Sequence, residues 1–255
     1  MNENEQVKSK YVDPGWVDTP TSQSIWAALQ HAQTKPTIVL IHGGAGIGKT
    51  WTINDYREEK KSKYGRYNVY LVTAEPCTGT VTGILASIDV AMGGLGDAHG
   101  YRSDHLARSI RKGFYPGDLL AIDEAQNLRN EALDQVRAFH DQCGIGIAFL
   151  SNNEVFTRIH GRSKQAEVLT RISSRMGMDL SIPFPTKDDV MVFMKAWGID
   201  GQKEHHYGCT IAQDQGKGLR GLAHVIEMAA IFTETKGLVL NASTLRMAAA
   251  SLGYI

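Results

Sequence analysis

The sequence predicts an α/β fold: a parallel five-stranded sheet sandwiched by helices, followed by a small all-helical domain. Short apolar, β-rich runs alternate with helical patterns along the first part of the chain, the signature of a parallel sheet with helices packed on it. Those runs are apolar almost without interruption, as strands buried on both faces require. After the prolines of Ile182-Pro183-Phe184-Pro185 only helical patterns remain.

Taken in order, residues 1–35 are a lead-in segment. The strand candidates are then Thr37–His42, Asn68–Thr73, Leu119–Asp123, Gly146–Ser151 and Met178–Ile182. Between the third and fourth, Leu128, Leu133, Val136 and Phe139 recur at helical spacing, which predicts an amphipathic helix with one face on the sheet. Pro183 and Pro185 end the last strand, and Thr186-Lys187-Asp188-Asp189 reads as a helix N-cap with a capping-box carboxylate. Leu219, Leu222, Ile226 and Ala229 mark one later helix. Asn241 caps another, carrying Leu245, Ala248 and Leu252. The expected layout is an α/β core over residues 36–184 and a helical lid over 185–255.

Composition narrows the function little. Lysine plus arginine equals aspartate plus glutamate at 27 each, so an anionic partner would have to meet a local basic patch. Cys77, Cys143 and Cys209 form no CxxC pair, which argues against zinc and a disulfide framework. The polar start MNENEQVKSKYVDPGW is unlike a signal peptide. Apolar runs such as Ile38-Val39-Leu40-Ile41 are too short to span a bilayer. The expectation is a cytoplasmic protein with no membrane segment.

The run GGAGIGKT, Gly43 to Thr50, fills the fixed positions of GxxxxGK[ST]. An apolar strand leads in and a helix predicted over Thr50–Tyr64 leads out, the context that the phosphate-binding loop needs. Glycines let backbone N–H groups face phosphate oxygens, and the helix N-terminus adds its positive end. Gly43, Gly44, Ala45, Gly46, Ile47, Gly48, Lys49, Thr50 and Trp51 are the expected ATP-binding residues. Lys49 would reach the β- and γ-phosphates, and the Thr50 hydroxyl would ligate Mg2+.

Leu119-Leu120-Ala121-Ile122-Asp123-Glu124-Ala125-Gln126 is an apolar strand ending in two carboxylates. Asp123 is the expected second holder of the Mg2+ shell. Glu124 is the expected general base that polarises the attacking water, so hydrolysis is expected as well as nucleotide binding.

Further along, Gly146-Ile147-Ala148-Phe149-Leu150-Ser151-Asn152-Asn153 is a strand ending in asparagines, Ser174-Arg175-Met176-Gly177 precedes the last strand, and Gly218-Leu219-Arg220-Gly221-Leu222 opens a lid helix. In these features the chain resembles the AAA+ superfamily. The resemblance implies Asn153 as the sensor that orients the lytic water. It implies Arg175, or Arg171 one helical turn earlier, as an arginine finger reaching a neighbouring subunit's nucleotide. Arg220 would contact nucleotide from the lid. A site built between subunits would require a homo-oligomer.

Val17-Asp18-Thr19-Pro20-Thr21-Ser22, Ile25-Trp26-Ala27-Ala28-Leu29, IDEAQNL, the stretch Gln135-Val136-Arg137-Ala138-Phe139-His140-Asp141, GIAFLSNNEVF, SSRMGM and GLRGL follow one another from about Trp16 to the C-terminus. In that order they resemble the B transposition protein family of phage Mu. The resemblance implies an ATP-dependent, non-sequence-specific binder of double-stranded DNA that forms helical filaments and delivers target DNA to a transposase. Only a short polar segment precedes Trp16, where the Mu protein carries a further DNA-binding helical region, so the DNA contact expected is that of the AAA+ core.

Candidate phosphate contacts are Lys60, Lys61, Lys63 and Arg66 after the first core helix. Arg102, His105, Arg108 and Lys112 fall near one helical face, and Thr78, Thr80 and Thr82 follow the second strand. Other families share parts of this pattern. A helicase loader or insertion-sequence ATPase would keep DNA and change the protein partner. A secretion-associated AAA+ ATPase or a nucleotide-switched signalling ATPase would not bind DNA.

Overall fold

The computed structural model describes residues 12–61, 68–96, 102–152, 166–213 and 217–254. The contacts between Cα atoms divide the chain into two compact units. One runs over Ser24–Gly43 and Lys49–Pro183. The other joins the segment up to Gln23, the loop Gly44–Gly48 and everything from Phe184 onwards.

The first unit is built on a parallel sheet with strand order β2-β3-β4-β1-β5, comprising β1 (Ile38–Gly43), β2 (Val69–Thr73), β3 (Leu119–Asp123), β4 (Gly146–Ser151) and β5 (Met176–Ile182). Parallel neighbours need crossover connections, and helices supply them. α1 (Pro20–Thr34) leads into β1, and α2 (Lys49–Glu59) follows it. α3 (Val81–Ala91) and α4 (Ser103–Gly113) separate β2 from β3. α5 (Asn130–Cys143) separates β3 from β4, and α6 (Ala166–Ser173) precedes β5.

The three inner strands β1, β3 and β4 are buried at every residue, as their unbroken apolar runs predict. β5 differs: its residues alternate between half-buried and exposed until Ile182. It is an edge strand with β1 as its one partner, so the expectation of burial on both faces does not extend to it. Helix α2 ends at Glu59, short of the predicted Tyr64. The Lys61 N–H turns back to Glu58 O, three residues before it, closing the helix with a tightened turn.

The amphipathic helix expected between the third and fourth strands is α5, though Leu128 lies ahead of it, closing the short 3-10 turn Ala125–Asn127. Leu133, Val136 and Phe139 enter the core formed with Leu120, Ile122, Ile147 and Phe149. Burial of this size, at roughly 1.5–3 kcal/mol per large apolar side chain, is what holds such an element in place. The Phe139 ring meets Phe114 edge to face at 5.7 Å, and Phe114 meets Tyr70 in the same way at 5.6 Å.

The second unit is helical: α7 (Lys187–Ala196), α8 (Gln202–Gln213), α9 (Gly218–Lys236) and α10 (Ala242–Ser251). Its core joins Val190, Met194, Leu219, Leu222, Ile226, Ala229, Leu245 and Ala248. Thr186 and Asp189 form the expected capping box on α7. Asn241 caps α10 by accepting from the N–H groups of Ser243 and Thr244. Asp189 is fully buried and holds the lead-in segment as well, taking the Thr21 N–H at 2.7 Å and the Thr21 hydroxyl at 2.6 Å. None of the described helices is long and apolar enough to cross a membrane.

Candidate nucleotide site

The strands of a parallel sheet end on one side, and such a sheet binds ligands outside its carboxyl ends. β1 ends at Gly43. The loop Gly44–Gly48 follows, and Lys49 and Thr50 open α2. Gly43 closes β1 beside β5 with φ +153°, and a Cβ there would lie 1.8 Å from Ile182 O. No residue but glycine lets the loop leave the sheet so close to its neighbour. Gly46, with φ +71°, lies within the helical unit, where its carbonyl accepts from the N–H groups of Leu219 and Arg220 at 2.9 and 3.2 Å. Arg220 thereby has its backbone fastened to the loop, with an exposed side chain.

Lys49 Nζ donates to Gly43 O at 3.1 Å, holding the ammonium at the mouth of the loop. Thr50 donates its hydroxyl to Asp123 Oδ2 at 2.6 Å, bringing together the start of α2 and the end of β3. Asp123 is almost wholly buried, and its Oδ1 accepts the Glu124 N–H at 2.9 Å. Burial raises its pKa, and the charge of Glu124 adds to the rise. The Thr50 and Glu124 hydrogen bonds and the Lys49 charge oppose it without cancelling it.

A buried carboxylate with its anion disfavoured, touching a hydroxyl, is a hard-oxygen pair suited to Mg2+. That ion takes one or two protein oxygens and completes its shell with waters and phosphate oxygens. The residues present therefore fit a nucleotide with its metal.

Glu124 stands just beyond β3 with φ 54° and ψ 37°, the single described residue other than glycine with positive φ. Its side chain is exposed and accepts a hydrogen bond from the Gln126 amide. The Gln126 carbonyl oxygen takes the Asn152 N–H at 3.3 Å. Sequence reasoning assigned no role to Gln126. Its position two residues past Glu124, in a turn, was the one available signal.

The remaining expected residues are distributed as follows. Asn153, Lys63 and Arg66 lie outside the described residues. Trp51 is exposed on the first turn of α2. Arg171 lies near the end of α6, and Arg175 immediately precedes β5. Arg175 is paired with Asp141, and Arg171 approaches Asp134 at 3.5 Å.

His105, Arg108 and Lys112 are exposed on α4, opposite the buried Leu106, Ala107 and Ile110, and Arg102 precedes the helix at its N-cap, exposed and paired with Asp104 at 3.3 Å. Lys60 pairs with Glu59 and lies over the Tyr56 and Trp26 rings, so its stem covers apolar surface. The Thr78 hydroxyl closes a turn on Glu75, and the Thr80 hydroxyl caps α3 by accepting the Gly83 N–H. Both are engaged within the chain.

This sheet order, phosphate loop and acidic strand end define a nucleotide-binding P-loop ATPase of the AAA class, and a family profile described as an AAA domain matches residues 32–159. A second profile, the C-terminal region of the Mu B transposition protein, matches residues 174–252. The Mu-like prophage FluMu DNA transposition protein B of Haemophilus influenzae is 32% identical over 210 residues, covering 81% of this chain and 70% of that protein. The ATP-dependent target DNA activator B of Escherichia phage Mu is 30% identical over 236 residues, covering 92% and 72%.

The chain belongs to the Mu B transposition protein family. Among solved structures, the Aeropyrum pernix ORC2 protein matches with a TM-score of 0.61 at 16% identity, covering 91% of this chain and 67% of that one. Domain III of the Thermotoga maritima replication initiation protein DnaA matches at 0.58 and 16% identity, covering 94% and 96%. These likenesses establish the fold.

Proposed function

We propose that this protein is an ATP-dependent, non-sequence-specific DNA-binding ATPase that assembles on target DNA and presents it to a transposase. The observation that carries the reading is the Thr50–Asp123 contact beside Lys49, which completes a nucleotide site in a chain of the Mu B family. The name of the phage Mu relative, an ATP-dependent target DNA activator, supplies the direction of the inference.

Lys49 and the loop N–H groups bind the phosphates, and Thr50 with Asp123 holds Mg2+. When bound, that ion offsets the charge developing on the phosphoryl oxygens. Glu124 accepts the proton of the attacking water. Arg220, whose N–H is tied to the Gly46 carbonyl of the loop, contacts the nucleotide. Arg171 or Arg175 completes the site of a neighbouring subunit. A head-to-tail contact of that kind generates an open helix when its rotation does not close, so ATP favours assembly and hydrolysis favours release.

For DNA, the exposed face of α4 offers His105, Arg108 and Lys112 to phosphates, with Arg102 at the helix N-cap. Contacts of this type carry no sequence information and weaken steeply with salt.

The test is an electrophoretic mobility shift on random-sequence duplex DNA with ATP, ADP or no nucleotide, at two salt concentrations. Large complexes that need ATP and dissolve at the higher salt are expected. No shift under any condition would remove DNA from the account.

A further inference from the structure

We propose that Gln126 is a positioning residue for ATP hydrolysis, its side-chain amide tying the Glu124 carboxylate to the end of β4. The inference rests on the reading of Glu124 as the general base.

The two ends of the amide do different things. The NH2 group donates to Glu124 Oε2, and the carbonyl oxygen accepts the Asn152 N–H at 3.3 Å. One uncharged side chain therefore bridges the proposed base and the strand next to β3. An amide suits this place. A cation there would lower the proton affinity of the base, and a second carboxylate would repel it.

The main chain of Glu124 is held from several directions. Its N–H donates to Asp123 Oδ1 at 2.9 Å, and its carbonyl accepts the Asn127 N–H at 3.0 Å. Asn127 Nδ2 is fixed on Ala74 O, just past β2, at 2.8 Å, and the Arg129 N–H donates to Gly79 O at 2.9 Å. These bonds keep Glu124 in a left-handed conformation that a non-glycine residue adopts only when its surroundings impose it.

The backbone is thus pinned while the exposed side chain, with three rotatable bonds, is left to be placed. Leaving such a chain loose costs a base its alignment, and small misplacements reduce rates about 10²-fold. Gln126 supplies the missing restraint and takes its own position from β4. A shift at Asn152 is then transmitted to the base through one side chain, which makes hydrolysis depend on where the end of β4 lies.

The test measures ATP turnover and nucleotide affinity in the full chain for Gln126→Ala, Gln126→Glu, Glu124→Gln and the double variant Gln126→Ala/Glu124→Gln. Gln126→Ala is expected to lower kcat by about tenfold or more, with KM and nucleotide affinity within about twofold of the parent. Gln126→Glu should lose more, because it sets a charge against the base. The double variant should be no slower than Glu124→Gln, since groups acting through one another are non-additive.

A Gln126→Ala kcat equal to or above that of the parent would overturn the proposal, as would losses that multiply in the double variant. If Glu124→Gln itself turned over at the parent rate, the reading of Glu124 would fall first. If it were inactive while Gln126→Ala were normal, only the present proposal would fail. Should Gln126→Ala not bind nucleotide, Gln126→Asn, one methylene shorter, carries the same comparison.

Discussion

Arg175 Nε donates to Asp141 Oδ1 at 2.6 Å, tying the residue before β5 to the last turns of α5. Its Nη1 also donates to Arg171 O and Ser174 Oγ, and Arg137 bridges Asp134 and Asp141 alongside. Burial acts to raise the Asp141 pKa, but Arg175 and Arg137 together hold it below the usual carboxylate value. The Arg171 carbonyl accepts from Arg175, but its side chain meets this network through a 3.5 Å approach to Asp134 and is 57% exposed. The two finger candidates are therefore unequal: Arg175 is engaged within its own chain, and Arg171 extends to solvent.

Arg171→Ala is accordingly expected to lower turnover of the assembled protein on the order of 10³-fold, as loss of an arginine finger does. Its thermal midpoint should be unchanged. Arg175→Ala should instead lower the midpoint by about 2–4 °C, the equivalent of ~1 kcal/mol in a chain of this size. Mixing Arg171→Ala with Lys49→Ala subunits should restore part of the activity, because one supplies an intact loop and the other an intact arginine. Full turnover in Arg171→Ala alone would exclude it as the finger.

At the phosphate loop, Lys49→Ala should weaken ATP affinity about tenfold to a hundredfold, the scale of one charge-assisted contact. Glu124→Gln should keep affinity and lower kcat by about 10²–10⁴-fold. Equilibrium binding of a fluorescent nucleotide, run beside phosphate release, separates the two effects. An unchanged affinity in Lys49→Ala would refute the site.

Gly43→Ala tests the exit from β1. Its Cβ would fall 1.8 Å from the backbone oxygen of Ile182, so β1 and β5 must move apart. The expected result is a fall in thermal midpoint of several degrees, at about 2–4 °C per kcal/mol. A midpoint equal to the parent's would mean the strand ends part freely.

Asp189 gives a pH signature. Burial alone would raise its pKa, but hydrogen bonds from Thr21 and Thr186 outweigh it and leave the pKa lowered. A carboxylate depressed in the folded state contributes stability that is fully present above its unfolded value of about 3.9 and is lost as pH falls through the folded value. Denaturant melts below about pH 4 should therefore show the parent losing stability faster than Asp189→Asn, which has no charge to titrate. Parallel pH curves for the two proteins would show that Asp189 does not contribute this way.

Much of this was legible in the chain itself. The inner strands announce themselves by unbroken apolar runs, and β3 and β4 begin and end where those runs do. GGAGIGKT and Asp123-Glu124 are local patterns whose spacing reflects a local geometry, so loop and strand end could be read without coordinates. The Thr186 capping box and the Asn241 cap likewise involve neighbours in sequence.

What the sequence determined by itself, then, is the identity of the elements and of the groups that meet phosphate, because periodicity and loop chemistry act over a few residues. Tertiary structure alone decided which strands are edges, with β5 alternating where the inner strands do not. It also decided that Arg175 pairs with Asp141, that Thr21 is held by Asp189, and that Gln126 meets Asn152. These contacts join residues brought together by the packing of the chain. Nothing in the neighbourhood of either partner encodes the other, so only the fold places them side by side.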